Sequence, residues 1–242
     1  MRADPVPTAD LPDLWAKGAP TAPGAPYHPL VHHLIDVGGV ARVVWAEILT
    51  EAARAWFGRQ IGLAAEAAGR WACFLAASHD VGKACPGFQR RQQGAPKHAT
   101  VSAVALRAAL TAPPWCLERA LGHRLAVVVG AHHGVAPRHK DLQDTGKSPR
   151  AIGGGPWAAQ RDDLIRRCAD HGGVAPGSVP AALTGAGALW LAGFISVVDW
   201  IGSNEEFFPY AATWGAPPGE EAVAAYAAEA EPRARNALAA LG

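Results

Sequence analysis

The apolar positions of this chain recur every three or four residues over long stretches, and clusters of glycine and proline interrupt them. That spacing puts side chains on one face of a helix. HPLVHHLIDVGGVARVVWAEILTEAARAWF, over 28–57, carries Leu34, Val37, Ala41, Val44, Ile48 and Ala52 in helical register until Gly58 and Gly62 interrupt it. AAEAAGRWACFLAASHD (64–80) predicts a second helix, which GKACPG breaks. VSAVALRAAL (101–110) predicts a third, ending near Pro113 and Pro114. LERALGHRLAVVVGAHHG (117–134) predicts a fourth, although LAVVV alone also suits a strand. Residues 134–156 read as a long Gly/Pro-rich loop, and WAAQRDDLIRRCADH (157–171) as an amphipathic helix. LTGAGALWLAGFISVVDWIGS (183–203) is apolar all round, the pattern of a buried core helix. A helical segment closes the chain, and the six prolines of residues 1–27 predict an extended arm.

The expected class is all-α: a compact helical domain whose apolar residues are mostly Ala and Leu, both helix formers. With 242 residues, half of them apolar, the chain is long enough to bury a full core. The division expected is an arm over 1–27, a body over 28–210 and a helical tail over 211–242. A net charge of +1 gives no whole-protein attraction for nucleic acid, so a polyanion has to be held by local charges or by metal. The four cysteines, Cys73, Cys85, Cys116 and Cys168, form no CxxC pair, which argues against a zinc knuckle. No disulfide framework is evident and the N-terminus lacks the apolar run of a signal peptide, so the expected compartment is the cytoplasm. Residues 183–203 are long enough to cross a membrane, but they carry Asp199 and have no basic flank. No membrane association is expected.

Histidines and aspartates carry the candidate chemistry. His32 and His33 are adjacent, His79 precedes Asp80 where a helix stops, His98 follows a lysine, and His132 and His133 precede Gly134. Asp199 is the single charge in its apolar segment, and burial requires it to find an arginine, a metal or a proton. Neighbouring helical residues point about 100° apart, so His132 and His133 grip one ion only if the backbone leaves the helix there. Otherwise they are solvent-facing histidines at a helix end, which the dipole favours. His33, His79, Asp80, His98, His132, His133 and Asp199 make seven potential donors, where one tetrahedral zinc takes about four. Seven suit two ions that share a carboxylate. Asp80 is the best bridge, because a carboxylate has two accepting oxygens and an imidazole one accepting nitrogen.

HPLVHHLID, SHDVGK, the Lys97–His98 pair, AHHG and SVVDWIGS occur in the order and approximate spacing of the HD-superfamily metal-dependent phosphohydrolases. LWAKG, FQRR and DWIGSNEEFFP narrow the resemblance to the HD nuclease domain of the type I CRISPR-associated nuclease–helicases. It extends from Leu14 to about Tyr210. It implies one ion held by His33, His79, Asp80 and Asp199, and another by Asp80, His98, His132 and His133. It also implies Lys83 near the scissile phosphate and Ser203 close to the metals, so that Asp80, Lys83 and Ser203 carry the catalytic roles. His28 matches a structural position. The activity implied is hydrolysis of single-stranded DNA in CRISPR interference, supported by two divalent ions of Mn, Fe, Ni or Co. Imidazole-rich sites favour such late first-row ions over magnesium. Implied partners are a helicase domain or subunit and a CRISPR RNA-guided surveillance complex. Arg90, Arg91, Arg138, Lys140, Lys147 and Arg150 flank the motifs as candidate phosphate contacts, or as ordinary solvated surface. The chain contains no GxxxxGK[ST] loop, so DVGK is not a nucleotide-binding motif. Residues 233–242 resemble the lead-in to a helicase half, which fits an excised domain or a subunit working beside a separate helicase. Competing readings are an HD nucleotidase acting on dNTPs or cyclic dinucleotides, and a non-catalytic helical adaptor.

Overall fold

The computed structural model describes residues 14–18, 22–175, 177–210 and 212–242. The all-α expectation holds, with a small sheet added. Strands β1 (Trp15–Lys17), β2 (Pro26–Pro29) and β3 (Ala212–Thr213) lie antiparallel in the order β1-β2-β3, with Trp15 opposite Pro29 and Tyr27 opposite Ala212. Beyond β2 the first helix, α1, runs from Leu30 to Val43, and a π-turn over Val44–Ile48 ends it.

That turn corrects the single stripe expected over 28–57. Leu34, Val37, Ala41 and Val44 are buried as the pattern requires, but Ile48 is 61% exposed and Ala52 also faces outward. The π-turn shifts the register, Leu49 is extended, and Thr50 starts a new helix, α2 (Glu51–Ile61), by accepting the Ala53 amide on its hydroxyl at 3.2 Å. Helix α3 (Ala65–Ala77) is buried along most of its length and stops at Ser78. A 3-10 turn over Val81–Lys83 and the short α4 (Pro86–Gln89) follow.

Helix α5 spans His98–Thr111, so it begins at His98, three residues before the start the pattern predicts at Val101. LAVVV is helical, within α6 (Arg119–Val129), which ends earlier than expected. The predicted loop over 134–156 contains α7 (His139–Gly146) and α8 (Pro149–Ile152). Glycine and proline flank these short helices and mask their signal, but Leu142 and Thr145 turn inward from α7. Helices α9 (Pro156–Gly172) and α10 (Gly185–Gly202) complete the body, and α11 (Glu220–Ala228) and α12 (Ala230–Leu241) return to pack against α1.

The core gathers Leu34, Val37 and Val40 of α1 with Trp71, Phe74 and Leu75 of α3, Leu106 and Leu110 of α5, Leu125 of α6 and Ile195 and Val198 of α10. α10 departs from the expectation of complete burial. It buries Leu191, Phe194, Ile195, Val198 and Asp199, but exposes Leu189 (79%), Val197 (49%) and Trp200 (75%). Its length and hydropathy would also allow it to cross a membrane, and its inward face packs against α1, α3 and α6.

Candidate metal centre

Separate segments deliver the candidate ligands to one place. α1 supplies His33, the turn after α3 supplies His79 and Asp80, the start of α5 supplies His98, the turn after α6 supplies His132 and His133, and the last turn of α10 supplies Asp199. The backbone leaves α6 at Gly130, before the paired histidines, so the two rings converge with centroids 4.1 Å apart. The helix stop at Ser78 has the same effect. His79 and Asp80 lie in a turn, with the Asp80 carbonyl accepting from the Lys83 amide at 2.9 Å, and their side chains enter a cleft instead of lying along a helix wall. Gly82 lets that turn approach the start of α5. Its amide donates to Ser102 Oγ at 2.8 Å, and a Cβ here would stand only 2.7 Å from that oxygen and closer still to the His98 carbonyl.

Asp80 is the centre of the cluster. Its Oδ2 faces Lys83 Nζ at 2.7 Å, His33 Nε2 at 3.1 Å and His79 Nε2 at 3.3 Å. Its Oδ1 faces His98 Nε2 at 3.3 Å and His132 Nε2 at 3.5 Å. Asp199 Oδ1 lies 3.2 Å from His79 Nε2 and 3.7 Å from His33 Nε2, and accepts the Ser203 hydroxyl at 2.8 Å. His133 Nε2 is 3.0 Å from His98 Nε2. All seven candidate donors, with Lys83 and Ser203, therefore fall in one cluster. Among them are three donor groups that fit a metal ion by proximity: His33, His79 and Asp80; His79, His132 and Asp199; and His98, His132 and His133.

The donor set fits divalent cations in its chemistry as well. Asp80 Oδ1, His79 Nε2 and His132 Nε2 are buried without hydrogen-bond partners among the described residues, although they converge. Such atoms are costly to bury unless something else satisfies them. Burial holds His33 at about 3 and His98 and His132 at about 4, which leaves each a neutral imidazole with a lone pair to offer. At His79 burial works against the charged form, but Asp80 and Asp199 outweigh it and raise the ring to about 10. Both carboxyls are held below the usual range. Burial opposes this, and Lys83 and His79 drive it at Asp80, with His79 dominant at Asp199.

Several contributors escaped the sequence reading. Lys17 of β1 donates to the Ser203 carbonyl at 2.8 Å, and burial together with the Lys83 charge lowers its pKa. Ser196 donates to the His132 carbonyl at 2.7 Å, tying α10 to the turn after α6. Phe88 lies 5.4 Å from the His98 ring, and Gln89 brackets the Trp15 backbone with hydrogen bonds of 3.2 and 3.0 Å. LWAKG and FQRR marked these segments, but nothing local in them specified a pairing across 74 residues. Among the flanking cations, Arg138 pairs with Asp141 at 2.9 Å, and Lys140 and Lys147 are exposed on or beside α7. Arg91 stands 5.7 Å from the Trp15 ring. The side chain of Arg150 lies outside the described residues.

A helical body that gathers an HD dipeptide, an upstream histidine, paired histidines and a distal aspartate around one carboxylate is the architecture of the HD-type hydrolase domains. The family described as "Cas3, HD domain" matches residues 15–208, and the chain belongs to this family of CRISPR-associated HD nuclease domains. It is 28% identical over 222 residues to the CRISPR-associated endonuclease/helicase Cas3 of Thermus thermophilus, covering 81% of this chain and 22% of that protein. It is 25% identical over 231 residues to the CRISPR-associated nuclease/helicase Cas3 of Streptococcus thermophilus, covering 81% and 25%. The chain thus spans about a quarter or less of these curated relatives. The crystal structure of the Thermus thermophilus cas3 HD domain in the presence of Ni2+ superposes with a TM-score of 0.73 at 28% identity, covering 96% of this chain and 90% of that one.

Proposed function

We propose that this domain hydrolyses phosphodiester bonds of single-stranded DNA in CRISPR interference, with two divalent transition-metal ions held about Asp80. The observation that carries the reading is the division of labour at that carboxylate, with Oδ2 toward His33 and His79 and Oδ1 toward His98 and His132. His33, His79 and Asp199 would hold one ion, and His98, His132 and His133 the other. Mn, Fe, Ni or Co suits imidazole donors better than magnesium does. Bound there, two such ions supply an activated water and offset the charge that develops in an in-line displacement at phosphorus.

The protein's own groups complete the site. Lys83, 2.7 Å from Asp80 Oδ2 and donating to the Ala16 carbonyl at 3.2 Å, keeps a cation beside the centre for a phosphate oxygen. Ser203 orients Asp199 through its hydroxyl. His33 and His79 are fully buried, whereas His133 is exposed and His98 partly so, so the centre opens on the α5–α6 side. A cleft of about 940 Å³ adjoins that opening, lined by Lys97, His133 and Arg138. Arg138 at the cleft and the exposed Lys140 and Lys147 on or beside α7 are the proposed phosphate contacts.

A helicase domain or subunit and a CRISPR RNA-guided surveillance complex are the proposed partners, and the cytoplasm the proposed compartment. Elemental analysis of the purified protein, with an assay on circular single-stranded DNA against a dNTP panel in manganese, tests this reading. The expected result is about two metals per chain and cleavage of the circle. Turnover of dNTPs with an intact circle points to the nucleotidase, and no turnover with no metal bound points to an adaptor.

A further inference from the structure

His33 is held differently from the other buried histidines of the centre. His79 Nδ1 is tethered to the Ala76 carbonyl at 2.9 Å and His132 Nδ1 to the Val129 carbonyl at 2.8 Å, which aims each Nε2 inward. His33 Nδ1 is buried and has no hydrogen-bond partner among the described residues. Asp80 Oδ2 holds the ring at Nε2, 3.1 Å away, and only packing against His79 at 5.1 Å and His28 at 6.2 Å between centroids steadies the Nδ1 side. His28 is itself fixed, with Nε2 3.0 Å from Asp36 Oδ2.

Asp36 lies one turn beyond His33 on α1 and is completely buried. Two residues of the C-terminal helices converge on it. The Tyr226 hydroxyl of α11 donates to Oδ2 at 2.9 Å, and the Arg233 guanidinium of α12 stands 3.4 Å from Oδ1. The Tyr226 ring lies flat on His32 at 3.7 Å with 2° between planes, and the Arg233 guanidinium sits 3.8 Å from the Tyr226 ring centroid. A continuous chain of contacts thus runs from α11 and α12 through Asp36 and His28 to the one buried donor ring whose Nδ1 has no hydrogen-bond partner among the described residues. The residues of this chain are not among the seven donors, and hydrolysis itself makes no use of them.

We infer that Tyr226 and Arg233 are positioning residues for His33, acting through Asp36 and His28, so that the C-terminal helices tune the half of the centre built on His33, His79 and Asp199. The inference rests on the reading of the centre as a metal site. The rival account is a plain tertiary latch between α1 and the C-terminal helices, which would touch the metal only by loosening the whole fold.

A double-mutant cycle on the full chain separates the two accounts: wild type, Tyr226→Phe, His33→Ala and the pair. Each is titrated with Mn2+ and Ni2+ against a chelating dye and melted in parallel. Tyr226→Phe removes the hydroxyl and keeps the ring on His32. A direct partner of a metal-ligating side chain is worth about 10–100-fold in affinity, and Tyr226 is further removed. The expected loss is about threefold to tenfold for one ion, with the second unchanged and with no further loss in the His33→Ala background. Equal losses in both backgrounds, or wild-type affinity in Tyr226→Phe, overturn the inference. Arg233→Gln enters the same cycle with the same criteria if Tyr226→Phe does not fold. A wild-type protein that binds no metal overturns the metal-site reading and the inference together, whereas an additive cycle removes only the inference.

Discussion

Replacing Gly82 with alanine adds one methyl group at the tightest packing point beside the metal centre. A Cβ there stands 2.7 Å from Ser102 Oγ and closer still to the His98 carbonyl oxygen and the Ser102 amide nitrogen, which are α5 backbone. Restoring ordinary van der Waals separation requires the start of α5 to retreat by roughly 1 Å. Overpacking of this kind costs about 1–3 kcal/mol. In a domain of this size that lowers the melting temperature by roughly 2–12 °C. The consequence for the site is sharper than the consequence for the fold. His98 is the first residue of α5, and donor distances in a metal site are set to within about 0.2 Å. Gly82→Ala should therefore lose metal from the His98, His132 and His133 group while the His33 side keeps its ion. Circular dichroism melts and metal analysis on the same preparation read both effects. A variant that melts with the wild type and keeps its full metal complement refutes the packing argument.

Two further outcomes follow from the charges. Burial holds His32 and His33 at about 3 and His98, His132 and His171 at about 4, so the unfolded chain takes up protons near 6.5 that the folded one refuses. The metal-free protein should lose stability as pH falls from 6.5 toward 4. His79, raised to about 10, contributes stability that is complete below 6.5 and lost as pH rises toward 10, so melts in EDTA should peak near pH 6.5. A monotonic profile across this range contradicts the assignment. Neutralising Arg138, Lys140 and Lys147 together should weaken single-stranded DNA binding without releasing metal. It should also flatten the slope of log affinity against log salt by about 0.7 for each phosphate that the variant no longer neutralises. An unchanged slope returns these residues to ordinary solvated surface.

Much of the fold was legible because helical periodicity is strong in α3, α5, α6 and α9, whose inward faces match the sequence pattern. The π-turn at Val44–Ile48 was not, since a register shift of one residue leaves the apolar spacing nearly intact and shows as the exposure of Ile48 and Ala52. α7 was hidden by the glycines and prolines around it, and the outward face of α10 by its apolar composition on every side. The gathering of the seven donors was legible because His79–Asp80 and His132–His133 each sit where a helix ends, with a glycine close behind in the sequence. The tethers were not: Lys17 to Ser203 and Tyr226 to Asp36 span 186 and 190 residues, and no local pattern encodes such pairings.

The central claim is that Asp80 serves two ions, one through each oxygen, and the direct test is the metal content of Asp80→Asn beside His33→Ala and His98→Ala. An amide is neutral and cannot present two anionic oxygens to two cations. Asp80→Asn should lose both metals and essentially all single-stranded DNA cleavage with its helical circular dichroism intact, while His33→Ala and His98→Ala each mainly lose one ion. Two metals retained by Asp80→Asn, with wild-type cleavage, would contradict the account.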